Sequence, residues 1–160
     1  MIDFHSHILP GVDDGSPSVE VSISMLRAAA QQGVTHVVAT PHFYARRDNL
    51  QRFLDRRSRA EEALREEMTR HRGLPQVLVG AEVAFFRGIS DSQSLPELTI
   101  RGKRCILIEM PPLSWQEEDY RELEAIWSKR SMIPIIAHID RYIAPLRTYG
   151  IPQRLEELPV

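Results

Sequence analysis

The sequence opens MIDFHSHILPGVDDG, with histidines at positions 5 and 7 and two aspartates, Asp13 and Asp14, ahead of a glycine. On an extended strand, residues two apart point to the same face, so the imidazoles of His5 and His7 can reach one ion together. Further along, His42 closes VTHVVATPH, Glu82 lies in QVLVGAEV, Glu109 follows CILI, and His138 falls at the end of MIPIIAHI. The chain has six histidines and 22 acidic residues in 160 positions, and their return at the end of each apolar run marks a constellation rather than a scatter. Imidazoles with carboxylates suit Zn, Mn or Fe, and a carboxylate can bridge two ions, so the set favours two or more metals over one closed structural zinc. Asp13 and Asp14, held between Gly11 and Gly15, supply a further ligand or an acceptor for a histidine N–H, and the sequence leaves open which does which. Asp3 is a further candidate for that supporting role.

The elements that must carry these residues follow from periodicity. MIDFHSH reads as a strand followed by a Pro-Gly-Asp-Asp-Gly loop, and SVEVSISMLRAAAQQG reads as an amphipathic helix ending at Gly33. VTHVVATPH predicts a second strand, and the charged stretch from about Asp48 to His71 a second helix carrying Phe53, Leu64 and Met68 at helical intervals. QVLVGAEV predicts a third strand, and Ala84 to Pro96 reads as a loop. LTIRGKRCILIEM predicts two strands about a tight Arg-Gly-Lys turn, EEDYRELEAIWSKR a helix, and MIPIIAHI another buried strand. The closing GIPQRLEELPV reads as a short helix leading toward a strand. This alternation predicts an α/β fold with a mostly parallel sheet or barrel, whose strand C-termini share the face where chemistry collects.

Composition narrows the function classes. A formal charge of −2, 42% apolar and 26% charged residues give no bulk attraction to nucleic acid or to an anionic membrane. No run is long and apolar enough to insert into a membrane, and no export signal precedes the first strand. Cys105 is the only cysteine, so no intrachain disulfide can form and a reducing cytoplasm is expected. Its apolar neighbours suggest a buried thiol. Because ILIEMPP follows it in place of a phosphate-binding loop with an arginine, thiol-dependent phosphatase chemistry is excluded. His36 sits at the far end of its strand from His42, and His71 at a helix C-terminus, so both read as structural. The arginines of the second helix alternate with glutamates and read as a solvated, salt-bridged face.

Taken together, IDFHSHILPGVDDG, ATPHF, GAEV, LIEMP and IAHIDRY resemble the polymerase and histidinol phosphatase (PHP) superfamily, over Met1 to about Tyr142. Within it, the similarity is to the bacterial protein-tyrosine phosphatase branch related to capsule and exopolysaccharide regulators. The resemblance implies a distorted (β/α)7 TIM-like barrel holding two to three divalent ions, manganese before iron or zinc. It places His5, His7, Asp14, His42, Glu82, Glu109 and His138 on ligand positions. It also implies a late Asp-x-His pair that this sequence lacks. The expectation is therefore one domain over 1–160, an incomplete barrel of about five β/α units. Such a barrel would have open strand edges that invite homo-oligomer formation.

The activity so implied is metal-dependent phosphomonoester hydrolysis, with a metal-bridged hydroxide attacking phosphorus in line. Arg141, three residues past His138, would pair with phosphate oxygens as the catalytic cation. A tyrosyl leaving group, with a pKa of about 10, needs little help, which tilts the choice toward aryl phosphates; the resemblance implies a phosphotyrosine protein as partner, such as a bacterial tyrosine kinase. Histidinol phosphate hydrolysis, phosphodiester cleavage, or a metal-binding fragment without turnover are the alternatives.

Overall fold

In the computed structural model of the chain, which describes residues 1–112 and 115–142, the alternation of IDFHS becomes strand β1, Ile2–Ser6. Ser18 caps the next helix, α1 (Val19–Gln31), by accepting from the Val21 N–H, and the helix gives way to Gly33 at φ +79. Ile23 and Leu26 of α1 are buried, and so is Ser22, whose hydroxyl donates to the Ile8 carbonyl at 2.6 Å. Strand β2 (His36–Ala39) is followed by the two-residue β3 (His42–Phe43), helix α2 (Leu50–Met68) and strand β4 (Gln76–Val79). Phe53, Ala60 and Leu64 line the buried stripe of α2. Arg57, in the same stripe, is accommodated because its Nη1 donates to the Gly80 carbonyl at 2.9 Å.

Cα proximity divides the chain into two compact units, Met1–Ala81 and Glu82–Val160. In the first, β1, β2 and β4 form a parallel sheet in that order. β2 and β4 run in unbroken register from His36↔Gln76 to Ala39↔Val79. β1 does not: Asp3 opposes Val37 but Ser6 opposes Ala39, so one extra residue is accommodated around Phe4 and His5. Asp3 holds this bulge by accepting the His5 backbone N–H at 3.1 Å. A bulge re-aims the side chains within it, here those of the first histidine pair.

The second unit contains β5 (Glu82–Ala84), a 3₁₀ turn at Ile89–Asp91, a short α3 (Leu95–Leu98), β6 (Cys105–Glu109), α4 (Glu117–Arg130) and β7 (Ile133–Ile136). β5, β6 and β7 pair in parallel, with Glu82↔Leu107 and Cys105↔Ile133 in register. Ile106, Leu107 and Ile108 are at most 2% exposed, as expected of a parallel strand covered on both faces. α4 starts with a reciprocal cap between Gln116 and Asp119 and carries acids in its first turn and bases in its last, which complements the helix dipole.

Both units are α/β with parallel strands, but among the described residues neither closes a ring of strands by itself. Three sequence-based boundaries are corrected. VTHVVATPH is not one strand: β2 stops at Ala39, and Pro41, which has no N–H, interrupts the ladder before β3. QVLVGAEV likewise breaks between Val79 and Glu82. The first half of LTIRGKRCILIEM is not a strand either. Its first residue, Leu98, ends the helical turn α3, whose first turn holds Pro96, and the chain then reverses at Gly102, φ +73, into β6. Ala84 to Pro96 is no plain loop, since Ile89 and Leu95 bury themselves there. Cys105 is half-buried rather than buried. The expected closing helix and strand lie outside the described residues. Among the described residues, no helix is long and apolar enough to cross a membrane.

Glu122 of α4 clamps the 3₁₀ turn, its two carboxylate oxygens accepting the Gly88 and Ser90 N–H groups at 2.8 and 2.9 Å. Burial alone would raise this carboxyl, but the bonds to Ser90 and Gly88 outweigh it and hold it below its ordinary value. A depressed carboxyl stabilises the fold above the unfolded-state pKa and loses that contribution as pH falls through the folded value. Glu122→Gln should therefore cost roughly 1 kcal/mol at neutral pH, discounted for partial exposure, and progressively less in acid. Urea denaturation at pH 7 and pH 3.5 checks this, and an equal cost at both would contradict it.

Candidate metal centre

In the first unit the Nε2 atoms of His5 and His7 face one another at 3.1 Å. The other nitrogen of His7, Nδ1, lies 2.7 Å from Oδ2 of Asp13. Burial alone would raise the Asp13 carboxyl. The His7 ring and the N–H groups of His42 and Gly15 outweigh burial and hold it below its ordinary value. An ionised carboxylate only accepts, so His7 carries a proton on Nδ1, and Nε2 is the nitrogen that faces His5. Two ligands bound to one ion at about 2.0–2.1 Å lie roughly 2.9–3.4 Å apart. The His5–His7 separation falls inside that interval, so the residues present fit a metal ion.

Asp13 organises more than one ring. Its Oδ2 also accepts the His42 N–H at 3.0 Å, and its Oδ1 accepts the Gly15 N–H at 3.0 Å. His42 thereby comes to a ring-centroid distance of 4.6 Å from His7, with Nε2 3.7 Å from Oδ1 of Asp14. Asp14 is 86% exposed, whereas Asp13 is 8% exposed. The two neighbours thus separate into an inward acceptor and an outward carboxylate, and ligand atoms of His7, Asp13 and Asp14 all lie within 4.8 Å of one another. Asp3, a sequence candidate for bonding an imidazole, bonds the His5 backbone instead. Tyr44 stacks on His42 at 5.4 Å and Arg47 lies 4.0 Å above the Tyr44 ring. Neither was singled out from sequence, because nothing in the spacing of HFYARR marks them.

The second unit gathers the remaining candidates. Glu82 begins β5 and Glu109 ends β6, where it pairs with Ala84. His138 follows β7 in a left-handed conformation, φ 54, which costs a non-glycine residue roughly 1–2 kcal/mol. That turn brings its Nε2 to 3.1 Å from Oε1 of Glu82, a fully buried carboxylate. Burying a carboxylate requires a cation or donors beside it. Arg141 is exposed, with Nη1 3.6 Å from Oε1 of Glu109. Burial, then the Glu109 charge, push the Tyr142 phenol up, so it stays protonated and donates to the Met110 carbonyl at 2.8 Å. His36 bonds Thr35 at the opposite end of β2, and His71 bonds Arg27 and Glu67, so neither belongs to these groups.

The family model for capsular polysaccharide synthesis, CpsB/CapC, matches residues 1–157. The chain is 30% identical over 153 residues to tyrosine-protein phosphatase YwqE of Bacillus subtilis (strain 168), covering 88% of this chain and 55% of that protein. It is 31% identical over 154 residues to tyrosine-protein phosphatase CpsB of Streptococcus pneumoniae, covering 90% and 58%. The chain thus spans a little over half the length of these relatives. A solved structure from the crystal structures of YwqE from Bacillus subtilis and CpsB from Streptococcus pneumoniae, described as unique metal-dependent tyrosine phosphatases, matches with a TM-score of 0.77. Its identity is 28%, over 96% of this chain and 63% of the other.

Gly15 sits against His7 so closely that an added Cβ would overlap both the His7 Cβ and its carbonyl oxygen. Backbone blocks the way, so the loop must shift. Gly15→Ala should destabilise the fold by about 1–3 kcal/mol and break the Asp13 contact, returning the His7 ring to a mixed tautomer. Thermal denaturation and imidazole 15N shifts of the metal-free protein measure the two effects. An unchanged melting temperature with an intact Nδ1–H tautomer would contradict the close approach.

Proposed function

The chain belongs to the capsular polysaccharide synthesis CpsB/CapC family, and we propose that it carries the metal-binding framework of a phosphomonoesterase acting on phosphotyrosine in proteins. The observation that carries this reading is the facing pair of imidazole nitrogens on His5 and His7, with the His7 tautomer held by Asp13. The names of the relatives support the same direction. The proposed ligands are His5, His7, Asp14 and His42 in the first unit and Glu82, Glu109 and His138 in the second. The ions proposed are two to three divalent ones, manganese before iron or zinc. Such ions lower the pKa of a bound water toward neutrality and polarise phosphoryl oxygens.

The chain's own residues would do the rest. Asp13 holds a proton on His7 Nδ1 and so fixes the ring with Nε2 as the nitrogen left to face a metal. Arg141, exposed and only loosely engaged with Glu109, binds the phosphate dianion and strengthens its hold as charge develops on the phosphoryl oxygens. The tyrosyl oxygen, with a pKa of about 10, departs as phenolate, so no side chain has to protonate it. Cys105 lies at the start of β6 and takes no part, and direct attack by water needs no covalent enzyme intermediate. A distorted (β/α)7 TIM-like barrel, a bacterial tyrosine kinase as substrate, self-association and a cytoplasmic setting belong to the same proposal. The parallel pairing of β1, β2 and β4 and of β5, β6 and β7, together with the single cysteine, supports it.

Protein reconstituted with Mn, Fe or Zn should retain more than one ion per chain by elemental analysis, and His5→Ala should lose at least one. Arg141→Ala should keep the metal yet lower kcat/KM on a phosphotyrosine peptide by roughly 10²–10³-fold. Turnover of histidinol phosphate or a phosphodiester in place of the peptide would reassign the substrate. Bound metal without any turnover would overturn the enzyme reading, and a chain that holds no metal would overturn the whole of it.

A further inference from the structure

The second unit holds a cavity of about 370 Å³ lined by Phe85, Met110, Pro111 and Pro112 together with the exposed Arg141 and the half-buried Glu109. That volume lies in the range of small-molecule sites, about 300–1,000 Å³. Phe85 and Pro111 are half-buried and Pro112 is exposed. They are apolar groups that the fold leaves facing a cavity rather than packing into the core.

The walls are braced. The Phe85 N–H donates to the Glu109 carbonyl at 2.8 Å, and the Trp115 indole N–H donates to the Pro111 carbonyl at 3.0 Å. Tyr142 also lines the cavity. Its hydroxyl is occupied by the Met110 carbonyl, and its ring meets Trp115 edge-on at 5.2 Å. Tyr142 therefore contributes ring surface rather than a free polar group. A cavity held this way is formed before anything enters it, so little ordering has to accompany binding.

An apolar slot edged by the Arg141 guanidinium, with the Glu109 carboxylate 3.6 Å from it and counted above among the proposed metal ligands, matches one chemistry closely: a flat, apolar group bonded directly to an anion. A phenyl ring carrying a phosphoryl group places the ring against Phe85 and the two prolines while its phosphate emerges beside Arg141. The single methylene of a phosphoserine would leave those walls uncovered. We propose that Phe85, Pro111 and Pro112 are the specificity-determining residues that receive the aromatic ring of an aryl phosphate. This rests on the phosphatase reading for its biological meaning, but the slot can be tested without turnover.

The test uses calorimetric binding of the non-hydrolysable probes phenylphosphonate and ethylphosphonate, with inorganic phosphate as reference, to the full chain loaded with Mn²⁺. The wild type should prefer the phenyl probe by about tenfold or more, and Phe85→Ala should reduce that preference to about threefold or less. Inorganic phosphate affinity should stay unchanged. Pro112→Ser, an exposed substitution that leaves the core alone, should shift the preference in the same direction. Equal binding of the two probes by the wild type, or an undiminished preference in both variants, would overturn the slot. A phenyl preference that falls in the variants, without any phosphotyrosine hydrolysis by the wild type, would leave the slot standing and overturn the phosphatase reading. Hydrolysis with undiminished preference would do the reverse.

Discussion

The hydrogen bond from His7 Nδ1 to the Asp13 carboxylate is the contact on which the first unit's chemistry turns. At 2.7 Å, with the Asp13 side chain 8% exposed, it is short and largely shielded. An acid in such a place becomes neutral unless donors surround it. Three do: the His7 ring and the N–H groups of His42 and Gly15. One carboxylate thereby sets a tautomer, closes the loop after β1 and fixes where β3 begins. The loop's backbone adds two more ties, Gly11 N–H to the Ser16 carbonyl and Ser16 N–H to the His7 carbonyl, at 2.8 and 2.9 Å. Gly11 at φ +65 permits the first of them.

The second unit reaches a comparable end by different means. Its polar residues come from positions far apart in the chain, so no short loop can collect them, and strand pairing must do so. The turn after β7 accepts an unfavourable backbone conformation at His138, and the result is an imidazole nitrogen against a fully buried Glu82. Strain of this kind persists only where the surroundings over-determine it. The buried β6 and the capped α4 supply that constraint.

Much of this was legible in the sequence because it depends on local patterns. His-x-His says that two rings share a face, and apolar runs say where strands lie. What escaped depends on pairing or on backbone geometry. The bulge in β1 exists only relative to β2. Asp13 and Asp14 have the same side chain and adjacent places, and the loop's path alone turns one inward. The break at Pro41 was in plain view, yet its consequence, a two-residue β3, follows from where the Asp13 carboxylate takes the His42 N–H. Tyr44 and Phe85 sit in stretches with no periodic signal, so their contacts with a ring and a cavity could not be read in advance.

The register of β6 shows how the distant residues stay in place. With Ile106, Leu107 and Ile108 all buried, apolar alternation cannot distinguish one register from the next, and a slip by one residue would reverse every side chain. The decision falls to the ends. Arg104 is exposed just before the strand and Glu109 is half-buried at its close, so a shift either way would draw a charge into the apolar layer. Burying an unpaired charge costs far more than the loss of one apolar contact. The charged ends thus hold an otherwise featureless strand in register, and they do so by the same requirement that keeps Glu109 at the rim where Arg141 can meet it.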